Sequence, residues 1–315
     1  MPHIAVIGAG VIGLSAAIEL LRLEYDVTIY ADNVSPNTTS DVAAAIWAPF
    51  KIEPAEQAMQ WALHSLKKIE QIAETAPEAG ILFKTHTELF ETTQEKPQWL
   101  QSLPPLPQPN YILEKYRNDS YSAMLPLIDS SQYMPYLNKL FLMNGGHLVH
   151  TKIDHINILF NKHNIVINCS GLGAKTLVND ELLYPIRGQV LSIEKIPDFK
   201  DSLVLSTTTE LTHLFSRVND CLIGGTVDEQ DWRPHADENI TQSILSRVNA
   251  IYPLGKVKIL RQIVGLRPAR PRVRLELERI KETQVIIHNY GHGGAGYTVS
   301  WGCAAAVAEL VKQVL

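Results

Sequence analysis

The first thirty residues switch between two hydrophobic periods. Ile4-Ala5-Val6-Ile7 is an unbroken apolar run of the kind buried on both faces of a sheet, Val11 to Leu23 repeats with helical spacing, and Val27-Thr28-Ile29-Tyr30 is a second strand. Strand, helix and strand in that order make a βαβ unit and predict a parallel sheet. Between Glu53 and Ala76 the apolar residues Met59, Ala62, Leu63, Leu66, Ile69 and Ile72 fall every three or four positions behind Pro54, which predicts an amphipathic surface helix.

From Gly80 to Phe90 the pattern becomes strand-like. Leu103 to Asn110 holds four prolines, which forbids regular structure, so a surface loop and a crossing between domains are expected there. Ser130 or Ser131 caps a helix running to about Met143 and closed by Gly145-Gly146, and His147 to Ile153 reads as a strand. Ile165-Val166-Ile167-Asn168-Cys169-Ser170-Gly171 has the form of a buried parallel strand ending in small polar residues, the end where doubly wound sheets place ligands. Gly188 to Ile193 and Asp220 to Gly225 predict strands of a second sheet. Val285-Ile286-Ile287-His288 is a strand, Gly291 to Gly296 a turn, and Val299 to Leu315 a helix with a stripe through Val307, Leu310, Val311 and Val314. The chain contains no internal repeat.

With 315 residues, 45% hydrophobic and 19% charged, the composition is that of a globular protein of two domains, on a prior of about 150 residues per domain. The net charge of -5 provides no basic surface, so nucleic acid is not an expected partner. The apolar stretch Ile4–Leu23 is interrupted by Gly8, Gly10 and Gly13 and by Glu19, which argues against a membrane span or signal peptide. Cys169, Cys221 and Cys303 are odd in number and far apart, so neither a disulfide framework nor a metal site is expected. The ending Lys312 to Leu315 carries no peroxisomal or retention signal, and the cytosol is the expected compartment.

Gly8-Ala9-Gly10-Val11-Ile12-Gly13 is a GxGxxG pattern between strand and helix, with Asp32 following 19 residues after Gly13 at the end of the second strand. Gly8 permits the tight turn, Gly10 lets backbone approach a pyrophosphate at the helix N-terminus, Gly13 allows helix and strand to close, and the Asp32 carboxylate suits a ribose. An acid at this position argues against a 2'-phosphate, hence against NADP. A nicotinamide dehydrogenase would continue as uninterrupted βαβ units. This chain leaves for a separate sheet and returns at Ile165 and Val285, which favours FAD over NAD.

Several further segments carry a resemblance: Ala31-Asp32 with Thr38 through Phe50, Val166 to Gly171, Arg187-Gly188-Gln189, Gly265-Leu266-Arg267-Pro268-Ala269-Arg270-Pro271, and His288 to Gly296 followed by Trp301-Gly302-Cys303. In order and spacing they resemble the D-amino-acid oxidase family over essentially the whole chain. The resemblance implies an α/β protein with a Rossmann-like FAD-binding domain (residues 1–50, 145–182 and 268–315). Inserted in it is an α+β substrate-binding domain on a mixed or antiparallel sheet (51–144 and 183–267).

It implies oxidative deamination. A D-amino acid passes hydride to flavin N5, the imino acid hydrolyses to a 2-oxo acid and ammonia, and dioxygen becomes hydrogen peroxide. Arg267 is then the bidentate partner of the substrate α-carboxylate, with Arg270, Arg272 and Arg274 as nearby competitors, and Gly294 offers its carbonyl to the amine. The implied FAD contacts are Gly8, Ala9, Gly10, Val11, Ile12, Gly13, Asp32, Asn33, Thr38, Thr39, Ser40, Ala45, Ile46, Trp47, Ser170, Gly171, Arg267, Gly293, Gly294, Gly296, Tyr297 and Thr298. For Thr38, Thr39 and Ser40 the other reading is capping of a short turn. Because the hydrogen leaves as hydride, no general base is needed, and His288 and His292 read as structural.

Departures from the family pattern bear on the substrate. His213 stands where a carboxylate-binding tyrosine is usual, which makes it a pocket residue, and Thr209 replaces a lid tyrosine. Phe50 replaces another tyrosine, Ala45 a glycine and Asn33 an arginine. Thr226 to Glu229 lacks the arginine of D-aspartate oxidases, so neutral side chains are expected, with basic ones the other class allowed. The short Leu205–His213 lid predicts fast product release. The other readings are an amine oxidase acting on glycine, sarcosine or imino acids, and a flavin-binding sensor without turnover. The family also implies a homodimer.

Overall fold

A computed structural model describes residues 2–49, 52–92, 96–97, 99–100, 103–104, 106–207 and 210–315. Its strands are β1 (His3–Ile7), β2 (Asp26–Ala31), β3 (Ile81–Phe90), β4 (Ser120–Ile128), β5 (His147–His150), β6 (Ile165–Asn168), β7 (Tyr184–Ile193), β8 (Ser202–Ser206), β9 (Leu211–Ser216), β10 (Cys221–Gly224), β11 (Asp228–Glu229), β12 (Ile259–Lys281) and β13 (Gln284–His292). The helices are α1 (Val11–Arg22), α2 (Ala55–Thr75), α3 (Ser130–Met143), the single turn α4 (Ala174–Leu177), α5 (Glu238–Ile251) and α6 (Gly296–Lys312). They form two compact units. Unit 1 is Met1–Gly80, Ser130–Pro185 and Arg267–Leu315; unit 2 is Ile81–Asp129 and Ile186–Leu266.

Unit 1 is built on the parallel sheet β13-β6-β1-β2-β5, as the apolar runs at Ile4, Val27, Ile165 and Val285 predict. Helices α1 and α2 both pack on α6. The α2–α6 approach is close enough that a Cβ on Gly302 would lie 2.2 Å from the Trp61 carbonyl oxygen, and the Gly302 amide donates to Ser65 Oγ at 2.9 Å. On α3, the Tyr133 hydroxyl accepts from Trp301 Nε1 (2.9 Å), and Ser130 Oγ donates to the Asp41 carbonyl (2.8 Å).

These contacts correct the expected domain boundaries. Residues 51–80 and 130–144 belong to the compact unit with the glycine-rich turn, not to the other one. Amphipathic spacing shows that a helix has a buried face but not what buries it. The proline-rich stretch lies inside unit 2, not at a crossing: Gln108 Nε2 donates to the Arg117 carbonyl at 2.6 Å, and Ile112 joins the unit 2 core.

Unit 2 carries the mixed sheet β4-β3-β8-β9-β10-β7, in which only β3 and β8 of these neighbours run parallel. One face is apolar: Leu89, Leu203, Leu214 and Ile223 pack with Ile244 and Val248 of α5. The Asp237 carboxylate caps α5 by accepting from the amides of Asn239 and Ile240. Arg187 is fully buried and anchors the segment before α5, donating to the carbonyls of Arg233 (3.0 Å) and His235 (2.7 Å) and to Asp228 (3.3 Å).

Candidate active site

β1 ends in the turn that the glycine pattern predicts. Gly8 has φ of +104°, its amide donates to the Tyr30 carbonyl at 2.8 Å, and a Cβ there would lie 2.5 Å from the carbonyl oxygen of Cys169, just beyond β6. A Cβ on Gly13 would lie 2.0 Å from the Gly8 carbonyl oxygen, so this glycine lets α1 close on the turn. At the start of α1 the Val11 amide donates to Ser40 Oγ at 2.9 Å, and the Cβ position of Gly10 is 3.1 Å from the same oxygen.

The opening of α6 reaches the same place. The Cβ position of Gly296 is 3.9 Å from Val11 Cγ1, and the Tyr297 hydroxyl donates to the Ser40 carbonyl at 2.7 Å. Gly8, Gly10, Val11, Ser40, Ser170, Gly296 and Tyr297 therefore form one cluster at the C-terminal ends of parallel strands, where two long helices present their N-termini.

Other expected contacts sit around this cluster with their side chains already engaged. Thr38 donates to Asp41 (2.6 Å), the turn-capping reading, and Thr39 opens the same turn. Ser170 Oγ donates to Asn168 Oδ1 (2.7 Å). The Thr298 hydroxyl donates to the Ala48 carbonyl (3.2 Å), and Trp47, fully buried, donates to the Ala62 carbonyl (3.0 Å). Gly171 faces Pro268 at 3.9 Å. Ala45, before half-buried Ile46, holds φ of +49°, a left-handed conformation that costs an alanine about 1–2 kcal/mol and suits the glycine it replaces. Ala9 is buried and Ile12 half-buried in the turn; Asp32 and Asn33 follow β2 as exposed residues.

Arg267, inside β12, is the first residue of that strand to belong to unit 1 and lies beside Gly294. Its Cδ is 3.7 Å from the Cβ position of exposed Gly294, while Gly293, at φ +55°, donates to the Pro268 carbonyl at 2.9 Å. Arg270 pairs with Asp180 (3.0 Å), which also accepts from Tyr290 (2.7 Å), and Arg274 pairs with Glu276 (2.7 Å) and Glu278 (3.3 Å). Asp41 and Asn168 lie inside segments that carry the resemblance, but their roles, like that of Asp180, escape a reading by motif because each acts through another residue.

Buried imidazoles complete the region. His288 bridges Glu278 (2.9 Å) and Asn168 (3.4 Å), and burial lowers its pKa. His292, one residue before Gly293, is buried with its Nε2 unpartnered among the described residues, and burial lowers its pKa to about 3. In unit 2 burial likewise lowers His86 to about 4. A histidine depressed in the folded state binds its proton first in the unfolded chain, near pH 6.5, so the stability it contributes is present above that value and lost as pH falls toward 4 and below. The melting temperature should therefore decline steadily from pH 7 to pH 4; a flat profile would mean that these imidazoles are not held neutral.

His213 belongs to unit 2. It is buried on β9, its ring stacked on Phe215 with centroids 4.6 Å apart, and its Cε1 occupies the place where a Cβ of Gly224 would lie. Phe50 and Thr209 lie outside the described residues; β8 ends at Ser206 and β9 begins at Leu211. Among the described residues no group of three acidic, histidine or cysteine side chains could hold a metal, no helix is long and apolar enough to cross a membrane, and all three cysteines are buried free thiols.

The cluster in unit 1 suits a dinucleotide. It combines a turn on which α1 closes because Gly13 has no Cβ, a bare backbone at Gly10 beside Ser40, a helix N-terminus for a pyrophosphate and an unpartnered buried imidazole nitrogen just before a second helix. A family model described as FAD dependent oxidoreductase matches residues 3–310. The chain is 33% identical to a D-amino-acid oxidase of Dictyostelium discoideum, covering 99% of this chain and 92% of that one. It is 35% identical to a D-amino-acid oxidase of Streptomyces coelicolor (98% and 97%) and 32% identical to a human D-aspartate oxidase (99% and 95%). Its fold matches a glycine oxidase of Bacillus cereus with TM-score 0.82 at 18% identity, covering 99% of this chain and 95% of that structure.

Proposed function

The chain belongs to the FAD dependent oxidoreductase family, and from that premise we propose that it is a D-amino-acid oxidase whose substrates carry neutral or basic side chains. The observation that carries the activity is identity of 33–35% with D-amino-acid oxidases over nearly the whole length of both chains. The glycine oxidase match, at 18% identity, speaks to the fold alone.

FAD is the cofactor, and when bound it supplies the acceptor for the hydride leaving the substrate α-carbon. The protein's tasks are alignment and electrostatics. We assign the pyrophosphate to the turn Gly8–Gly13 with Ser40, the ribose to Asp32, and the remaining flavin contacts to the segments at Ala45, Ser170 and Gly293–Thr298. Arg267 takes the α-carboxylate. Support comes from its place, since the Arg267 side chain passes 3.7 Å from the Cβ position of exposed Gly294, just before the opening of α6. The Gly294 carbonyl accepts from the substrate amine, and the positive end of α6 favours negative charge arriving nearby.

His213, wedged against Gly224, acts by shaping unit 2 rather than by proton transfer. Dioxygen is the electron acceptor of this reading, the homodimer its assembly and the cytosol its compartment, in keeping with three free thiols. The deciding experiment is to load the purified protein with FAD and add D- and L-amino acids, glycine and sarcosine without oxygen. Bleaching by non-acidic D-amino acids is the expected result; bleaching by glycine or sarcosine alone would replace the reading, and failure to bind FAD would end it.

A further inference from the structure

The carboxylate of Glu278 starts a chain of hydrogen bonds that runs within unit 1 from β12 to the glycine turn. Its Oε2 accepts from Arg274 Nη2 (3.3 Å) and lies 2.9 Å from His288 Nε2. His288 Nδ1 is 3.4 Å from Asn168 Nδ2, and Asn168 Oδ1 accepts from both the Ser170 amide (3.2 Å) and the Ser170 hydroxyl (2.7 Å). The register of β6 and β13 pairs His288 with Asn168, and both side chains are fully buried. Ser170 stands beside the turn, its Cα 3.5 Å from the Cβ position of Gly8.

Each link fixes the direction of the next. An ionised carboxylate only accepts, so His288 donates through Nε2. Burial lowers the pKa of this imidazole; Arg274 adds to that effect, while Glu278 and Glu276 oppose it. At neutral pH it therefore holds one proton, and its Nδ1 accepts. Asn168 must then turn its NH2 toward His288 and its carbonyl oxygen toward Ser170.

Both protons of Ser170 are thereby committed to Asn168. The hydroxyl oxygen receives no donor among the described residues and does not cap the turn Gly171–Gly173 that follows. What its side chain offers a ligand is an acceptor. An ionised phosphate oxygen also only accepts and gains nothing there, whereas a sugar hydroxyl donates.

Building on the FAD assignment above, we infer that Glu278, His288 and Asn168 are positioning residues that hold Ser170 as an acceptor, and that Ser170 takes a hydroxyl of the FAD ribose or ribitol rather than a phosphate oxygen. The test titrates the full-length apoprotein with FAD and with FAD analogues that each lack one ribose or ribitol hydroxyl. One analogue should bind the wild type about fivefold more weakly than FAD, the size of one neutral hydrogen bond, yet bind Ser170→Ala as tightly as FAD does. The hydroxyl it lacks identifies the sugar. If every analogue loses as much affinity in Ser170→Ala as in the wild type, the hydroxyl assignment is overturned.

The positioning chain has its own readout. Asn168→Asp still accepts from Ser170 and pairs with a protonated His288, so it should hold FAD within about threefold of wild type, whereas Asn168→Leu should weaken FAD at least about tenfold. A role in packing alone predicts the reverse order, because burying a carboxylate costs more than burying an apolar side chain. That order would overturn the positioning role. If neither variant folds, nitrogen-15 NMR of the FAD-loaded wild type decides: His288 should be neutral and protonated at Nε2, and a proton at Nδ1 would overturn the chain. Wild-type protein that takes up no FAD would end the FAD assignment itself, and the inference with it.

Discussion

Replacing Arg267 with leucine lowers kcat/KM for every D-amino acid by at least about a hundredfold while the flavin stays bound. Removing one partner of a buried charge-assisted pair costs about 2–5 kcal/mol, equivalent to roughly thirtyfold to several thousandfold in rate or affinity. Arg267 is half-buried, and its side chain runs beside exposed Gly294, so a carboxylate placed there meets both a fixed fork of donors and reduced solvent. Arg267→Lys keeps the charge but loses the bidentate geometry and should fall between wild type and leucine. Because Arg270 and Arg274 are bound to Asp180, Glu276 and Glu278, neither is free to take over. Steady-state kinetics with the absorption spectrum as a check on flavin content decides the matter: unchanged kcat/KM in Arg267→Leu would show that the carboxylate is held elsewhere.

How far the sequence could be read depended on whether the deciding interaction was local. The turn at Gly8–Gly13 was legible because a left-handed glycine and a helix start are fixed by adjacent residues, and β1, β2 and β6 because unbroken apolar runs permit little else. β12 was not, since Pro268, Pro271 and the arginines and glutamates around them mask a 23-residue strand whose pairing with β13 shifts register between Ala269 and Arg274. α2 and α3 were found as helices and assigned to the wrong unit, because their partner α6 lies more than 150 residues further on. Arg267 came from a motif, whereas Asp180 has none: only the fold brings it to Arg270 and Tyr290.

Gly13→Ala should be the most damaging single-methyl change in unit 1, through both fold and cofactor. The added Cβ would stand 2.0 Å from the Gly8 carbonyl oxygen and 2.9 Å from its carbon, and backbone atoms cannot swing aside as a side chain can. Nor is Gly8 able to retreat. Its amide is bonded to the Tyr30 carbonyl, and its own Cβ position is already 2.5 Å from the Cys169 carbonyl oxygen, so relief requires moving α1 away from the turn. Overpacking of this kind costs about 3 kcal/mol or more, which for a domain of this size lowers the melting temperature by roughly 6–12 °C. The same movement displaces the Val11 amide from Ser40 and opens the proposed pyrophosphate cradle, so the purified variant should also retain little FAD. Gly296→Ala is the control, because its Cβ would make an ordinary 3.9 Å contact with Val11 at a helical position and should leave the melting temperature unchanged or slightly higher. Calorimetry and the ratio of flavin to protein absorbance read both effects, and a Gly13→Ala protein with wild-type stability and full flavin content would show that the close approach of helix and turn is not required.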